Sequence, residues 1–208
     1  MHAVLVANAP WRWHPRHVAR LLAADLVVAA DGGANHLARV GVRPSAVVGD
    51  LDSITRAVRL WVGEERLVHR DDQEHTDLHK TLTYCFDERA VTEMTVMAAT
   101  GGRLDHTLEN LVLLSRFGSR GSLTLLTGEQ RIVAVHDEMV TATAPGDTVS
   151  LMPLDCCPRV WTEGLHWELH GEPMDLASMR SVSNRAEGES IRVRSVGGVV
   201  LLFLPDDC

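Results

Sequence analysis

Long apolar runs are missing from this 208-residue chain. Nothing in it approaches the roughly 20 consecutive apolar residues that span a bilayer, so a helical membrane protein is excluded. The opening segment, MHAVLVANAPWRWHPR, has no basic leader followed by a long apolar stretch, and no secretory signal is expected. Cysteine is scarce. The four present, Cys85, Cys156, Cys157 and Cys208, show no C-x-x-C spacing. All four are expected as reduced thiols of a cytoplasmic protein. The 11 histidines include no zinc spacing such as H-E-x-x-H. There is no G-x-x-x-x-G-K-[ST], which excludes a P-loop, and no G-x-G-x-x-G after the first strand, so the Rossmann fingerprint is missing too. Low-complexity segments, charge runs and internal repeats are also lacking.

What is present suits a globular protein. Hydrophobic residues make up 45% of the chain, enough for the core of one or two domains, and the charged fraction of 23% argues against disorder. The net charge of −8 disfavours a nucleic-acid backbone as partner. It does not disfavour phosphate ligands carried on a metal ion.

Two different patterns divide the chain. Residues 2–7, 25–30, 46–48, 94–99 and 122–126 read as short buried strands. Between them lie helical spacings. Pro15 opens one with Val18, Leu21 and Leu22; Ser53 is expected to cap a second with Ile54, Ala57, Val58, Trp61 and Val62. Thr76 is expected to cap a third with Leu78, Leu82, Cys85 and Phe86 on one face, and Leu104, Leu108, Leu111 and Val112 mark a fourth. Alternation of this kind predicts a mostly parallel α/β domain over residues 1–138. From residue 139 to 208 only short strands and turns follow, predicting a smaller, sandwich-like all-β domain.

Polar clusters stand where strands end. In open α/β sheets ligands bind beyond the carboxyl ends of the strands. ADGGAN (30–35) follows the second strand, GDLDS (49–53) the third, and TGGRLDH (100–106) a later one, while DDQEHTD (71–77) precedes a helix. The segment VVGDLDSI poses the sharpest question, because a buried strand runs into two aspartates. In an extended segment Asp50 and Asp52 point to one side, about 7 Å apart, and a shared cation relieves their repulsion. Oxygen ligands without cysteine or clustered histidine select a hard ion, Mg²⁺. Asp77, in the first turn of a helix, is the candidate third ligand, or an acid that complements the helix dipole. Gly32-Gly33 and Gly101-Gly102 let backbone approach a ligand, and Arg103 offers a donor fork for phosphate. His75, His79 and His106 are read as polar neighbours.

Taken in order, DGGAN, GDLDS, DQEHTDLHKTL and TGGRLDHTLENLVLL resemble the thiamine pyrophosphokinase family. VSLMPL, VWTEGLHWEL and SVSNRAEGESIRV resemble its vitamin B1-binding domain. The resemblance implies transfer of the pyrophosphoryl unit of ATP to the hydroxyl of thiamine, giving thiamine diphosphate and AMP. It implies that Asp50, Asp52 and Asp77 hold Mg²⁺ and that Arg103 grips phosphate. Asp31, Gly32, Gly33, Asn35, Ser53, Gly101 and Gly102 would shape the nucleotide site. Gln73 and Asp105 would lie near the acceptor, Asp105 being alternatively the cap of its helix. Ser181, Ser183 and Asn184 would contact the vitamin, their other reading being a plain turn. Trp161 and Trp167 are expected in the core of the β domain, with stacking on a ring as the alternative. A homodimer with thiamine between chains is implied, with neither nucleic acid nor membrane as partner. Another Mg²⁺-dependent pyrophosphokinase, acting on a hydroxymethylpterin, and a non-catalytic thiamine or nucleotide sensor are the rival readings.

Overall fold

The structure, a computed structural model, describes residues 1–178 and 180–206. Cys208, one of the expected thiols, lies outside them; Cys85, Cys156 and Cys157 are free. The chain divides into two compact units, residues 1–113 with 120–128, and residues 114–119 with 129 onward.

The first unit is built on six parallel strands: β1 (His2–Val6), β2 (Leu26–Ala30), β3 (Ala46–Gly49), β4 (Leu67–His69), β5 (Glu93–Met97) and β6 (Ser122–Leu126). Their order is β6-β5-β1-β2-β3-β4. The central strands read LVVAA and AVVG, without alternation, and are buried on both faces. That is the signature of a parallel sheet covered by crossover helices. The helices are α1 (Pro15–Ala23), α2 (Gly33–Arg39), α3 (Arg56–Val62), α4 (Asp77–Thr83) and α5 (Leu104–Gly118). Pro15 and Thr76 act as the spacing predicts. Pro15 sits in the first turn of α1, and the Thr76 hydroxyl accepts the His79 N–H at the start of α4. Leu78, Leu82, Cys85 and Phe86 are all buried.

Two expectations about helices need correction. Ser53 does not cap α3. The cap is Thr55, whose hydroxyl accepts the Val58 N–H, because Ser53 is held back in the loop by Asp31 and Asn35. In α5 the stripe Leu104, Leu108, Val112 faces outward, with exposures of 71%, 57% and 53%; the helix buries Asn110, Leu113, Leu114 and Phe117 instead. Periodicity located the helix but not the face that is buried.

In the second unit β7 (Gln130–Val135), β8 (Glu138–Ala142), β9 (Thr148–Pro153), β10 (Cys157–Glu163), β11 (His170–Met174), β12 (Asn184–Arg185), β13 (Ser190–Val196) and β14 (Val200–Pro205) form two antiparallel sheets. Their orders are β12-β9-β14-β7 and β11-β10-β13-β8. Strict alternation along β13 puts Ile191 and Val193 inward, where they join Val160 and Met174 against Val149, Leu151, Leu202 and Leu204 of the facing sheet. This is the expected sandwich. The division falls at residue 129, ten positions before the change of pattern at 139, because β7 pairs with β14 along its whole length. Trp167 is 61% exposed and so is not a core residue, contrary to expectation.

Candidate active site

A cavity of about 550 Å³ opens in the first unit at the carboxyl edge of the sheet. Five loops line it. Asn8 to Pro10 follow β1, Asp31 follows β2, Asp50 and Ser53 follow β3, Asp72 to Asp77 lead into α4, and Gly101 to Arg103 follow β5. The backbone is forced there. Asp31, Leu51 and Ala98 have φ of +39°, +65° and +56°, a left-handed conformation that side chains other than glycine's adopt at a cost. All three lie just past the ends of strands.

The positive φ of Leu51 overturns one geometric premise. Residues 50–52 are not extended, so Asp50 and Asp52 do not share a side. Asp52 is exposed, and its carboxylate accepts the Ser53 hydroxyl at 2.8 Å. The acids that do meet are Asp31, Asp50 and Asp77, with one carboxylate oxygen from each lying within 4.8 Å of the others. Gly49, at φ +154°, makes this approach possible. A Cβ there would stand 2.9 Å from both the Asp31 Cβ and Asp77 Oδ1.

The electrostatics fit a cation. Asp31 is 2% exposed; its Oδ2 accepts the Ser53 N–H at 3.0 Å, and its Oδ1 is buried without a partner. Burial raises its pKa from the ordinary 3.8; the Ser53 bonds pull it down, and Asp77 and Asp50 push it further up. Three carboxylates, one of them carrying an unpartnered buried oxygen, make a donor set that suits Mg²⁺. Because the folded chain holds the Asp31 proton more tightly than the unfolded chain, ionising it costs stability. That cost is absent below the ordinary pKa, grows as pH rises through the interval up to the raised folded value, and is full above it. Asp31→Asn keeps the Ser53 contact and suits a left-handed position. It is therefore expected to raise Tm at pH 7 in metal-free buffer by a few degrees. The gain should shrink as the pH approaches 4, and added Mg²⁺ should stabilise wild type more than the variant. Thermal melts with and without Mg²⁺ check this.

Lys80 was not anticipated. Nineteen of the chain's 20 basic residues are arginine, and Lys80 is its only lysine. It sits one helical turn after Asp77, its side chain 6% exposed, its ammonium 3.2 Å from Asp77 Oδ1, and it lines the cavity. Composition held the signal, since a lone lysine three residues from a candidate ligand stands out. Asn8 and Asn110 also line the cavity unforeseen, Asn110 donating to the Ala99 carbonyl at 2.7 Å.

Other expected residues fall into place or out of it. Gly32 and Gly33 do not line the cavity. A Cβ on Gly33 would stand 2.0 Å from the Val6 carbonyl oxygen, and one on Gly32 2.2 Å from the Asn8 side chain, so these glycines let α2 pack on the end of β1. Asn35 is outside too. It donates to the Ser53 carbonyl at 2.9 Å and accepts the Thr55 N–H at 3.0 Å, pinning the acidic loop. Gly101, Gly102 and Gln73 line the cavity, Gln73 donating to the Asp71 carbonyl. Arg103 lines it as well, 72% exposed, and is forked onto Asp105 at 3.1 and 2.5 Å. That pairing depresses the Asp105 pKa from 3.8 to about 2. Asp105 itself is exposed and outside the lining. In the second unit Ser181 and Ser183 have φ of +63° and +56°, while Asn184 is buried.

Known proteins resemble this chain in sequence and in fold. The catalytic-domain model of thiamin pyrophosphokinase matches residues 19–125, and the model of its vitamin B1 binding domain matches residues 135–200. A thiamine pyrophosphokinase of Oryza sativa subsp. japonica is 29% identical over 83% of this chain and 76% of its own length. One of Arabidopsis thaliana is 28% identical over 83% and 75%. The crystal structure of thiamine pyrophosphokinase from Bacillus subtilis superimposes with a TM-score of 0.85 at 22% identity, covering all of both chains. That of yeast thiamin pyrophosphokinase gives 0.85 at 18%, covering 98% of this chain and 86% of its own. At such identities these structures establish the fold, whereas the catalytic-domain model alone covers more than half of the sequence. With the three converging acids, Asp31, Asp50 and Asp77, lying inside that matched region, this chain belongs to the thiamin pyrophosphokinase family.

Proposed function

We propose that the chain transfers the pyrophosphoryl group of ATP to the hydroxyl of thiamine, releasing thiamine diphosphate and AMP. Both halves of the family match in order along one chain, which makes it a thiamine diphosphokinase. The observation that carries the site assignment is the convergence of Asp31, Asp50 and Asp77 on one cavity beside Lys80. Those three carboxylates would hold Mg²⁺, and Asp52 stays in the proposed set as the exposed second carboxylate of the Asp50 loop. When bound, the ion offsets charge on the phosphoryl oxygens as the acceptor attacks in line.

The chain's own groups do the rest. Lys80 supplies a fixed positive charge inside the cavity, and Arg103 supplies a donor fork at an exposed position, steadied by Asp105. The Gly101-Gly102 turn, with φ of +86° and +73°, admits phosphate close to backbone. Gln73 is placed near the acceptor. The thiamine oxygen forms a bond to the β-phosphorus, the bridge to the α-phosphate breaks, AMP leaves and the hydroxyl proton passes to solvent. No general base is assigned, since phosphoryl transfer needs little base catalysis.

Thiamine carries a permanent positive charge, which a chain of net charge −8 attracts. In the second unit the proposed contacts are Ser181, Ser183 and the exposed face of Trp167. The outward apolar stripe on α5 supports a homodimer, with the vitamin between the first unit of one chain and the second unit of its mate. The enzyme is placed in the cytoplasm, with no nucleic-acid or membrane partner; among the described residues no helix is long and apolar enough to cross a bilayer.

Incubation with ATP, Mg²⁺ and either thiamine or a hydroxymethylpterin, followed by mass detection, tests the reading. AMP and thiamine diphosphate in equal amounts, only with thiamine, are expected. Transfer to the pterin, or binding of thiamine with no AMP formed, overturns it.

A further inference from the structure

Asn184, at the start of β12, is 2% exposed, and its side chain is fully engaged. An asparagine amide has two N–H donors and a carbonyl with two lone pairs. Here Nδ2 donates to the Trp167 carbonyl and to Ser181 Oγ, each at 2.7 Å. Oδ1 accepts the Trp167 N–H at 3.1 Å and the Arg185 N–H at 2.8 Å. Nothing remains for a ligand. We infer that Asn184 does not touch the vitamin but is a positioning residue, clamping both backbone polar groups of Trp167 so that the exposed indole is held in one orientation.

The surroundings of the clamp agree. Trp167 lies on the turn between β10 and β11, which is closed at its base: Thr162 donates its N–H to the Leu169 carbonyl at 2.9 Å, and its hydroxyl accepts the Leu169 N–H at 2.8 Å. Across the turn the His166 N–H donates to the Arg185 carbonyl at 2.8 Å, and the Glu187 N–H to the Gly164 carbonyl at 2.9 Å. The His166 ring stands edge-on to the indole, 4.5 Å away, and is held by Glu187 at 2.5 Å. Ser181 reaches Nδ2 from a left-handed conformation, φ +63°, so the strain of that turn serves the same contact. An exposed tryptophan on so constrained a backbone is a platform, because a ring fixed before binding loses little further freedom on contact.

The inference rests on the reading that the vitamin binds this unit, and the test separates the two. In wild-type protein labelled with ¹⁵N and titrated with thiamine alone, the Trp167 indole signal, assigned with Trp167→Phe, should shift. The Asn184 side-chain amide should be protected from hydrogen exchange and move less. Asn184→Ala should speed exchange of the Trp167 backbone N–H and raise KM for thiamine about tenfold, with kcat and KM for ATP little changed. Asn184→Asp, which lacks the donors, should not rescue it. An Asn184 amide that exchanges as fast as a surface amide, or that shifts more than the indole, overturns the inference; so does a raised KM with the Trp167 N–H unaffected. Absence of any thiamine-induced shift would count against the functional reading alone, because the exchange measurements, including those on wild type, need no ligand.

Discussion

Asp77→Asn should lower the rate of AMP formation about a thousandfold or more, with the circular dichroism spectrum unchanged. The substitution is isosteric and removes only a charge. Thr81 bonds the Asp77 backbone carbonyl at 2.6 Å, not its side chain, so the first turn of α4 survives. What is lost is one of three carboxylates converging from separate loops, together with the counter-charge of Lys80. An amide oxygen binds a divalent ion far less well than a carboxylate, and two acids would have to hold what three held. The stabilisation that Mg²⁺ confers on thermal melting should fall with the activity, which ties the loss to the ion. Turnover within a few-fold of wild type, with the Mg²⁺ response intact, would place the ion elsewhere.

Lys80→Met should cost about a hundredfold or more in turnover. Methionine keeps the apolar stem that α4 buries and removes the ammonium. The charge matters because it is fixed: a side chain 6% exposed and bonded to Asp77 needs no reorganisation to meet phosphate. Lys80→Arg should recover little of the loss, since a planar fork does not fit a site shaped around a compact ammonium. The variant should also melt lower than wild type in metal-free buffer, because Asp77 then faces Asp31 and Asp50 with no internal cation, and Mg²⁺ should restore much of the difference. An independent check uses the composition. An amine-directed reagent has only Lys80 and the N-terminus to modify, so protection of Lys80 by ATP with Mg²⁺ is readable by mass. A methionine variant of normal activity would reduce Lys80 to a structural partner of Asp77.

Much of this was legible in order along the chain. Continuous apolar runs such as LVVAA and AVVG announce strands buried on both faces, and residue pairs such as Val149–Leu151 and Ile191–Val193 announce strands with one inward face. Those periods follow from backbone geometry and need no knowledge of the partner. Helix caps were half legible: Thr76 behaved as its position suggests, whereas Ser53 was claimed by a competing bond from its own N–H to Asp31. The Gly32-Gly33 pair was misread for a related reason. A glycine signals close approach without saying to what, and Gly33 turned out to face the Val6 carbonyl.

By itself, then, the sequence determined the two-part fold, the four polar loops at strand ends and the family to which they belong, because these depend on local periodicity and on ordered motifs. Only the tertiary structure decided which acids share a cavity, Asp31 in and Asp52 out, since that turns on a left-handed Leu51 and on contacts between loops far apart in the chain. It alone decided that Lys80 is buried against Asp77, that α5 shows Leu104, Leu108 and Val112 to solvent, and that Asn184 is satisfied from within while Trp167 is left exposed. Burial and hydrogen-bond saturation belong to the assembled neighbourhood of a residue, and no single stretch of chain carries them.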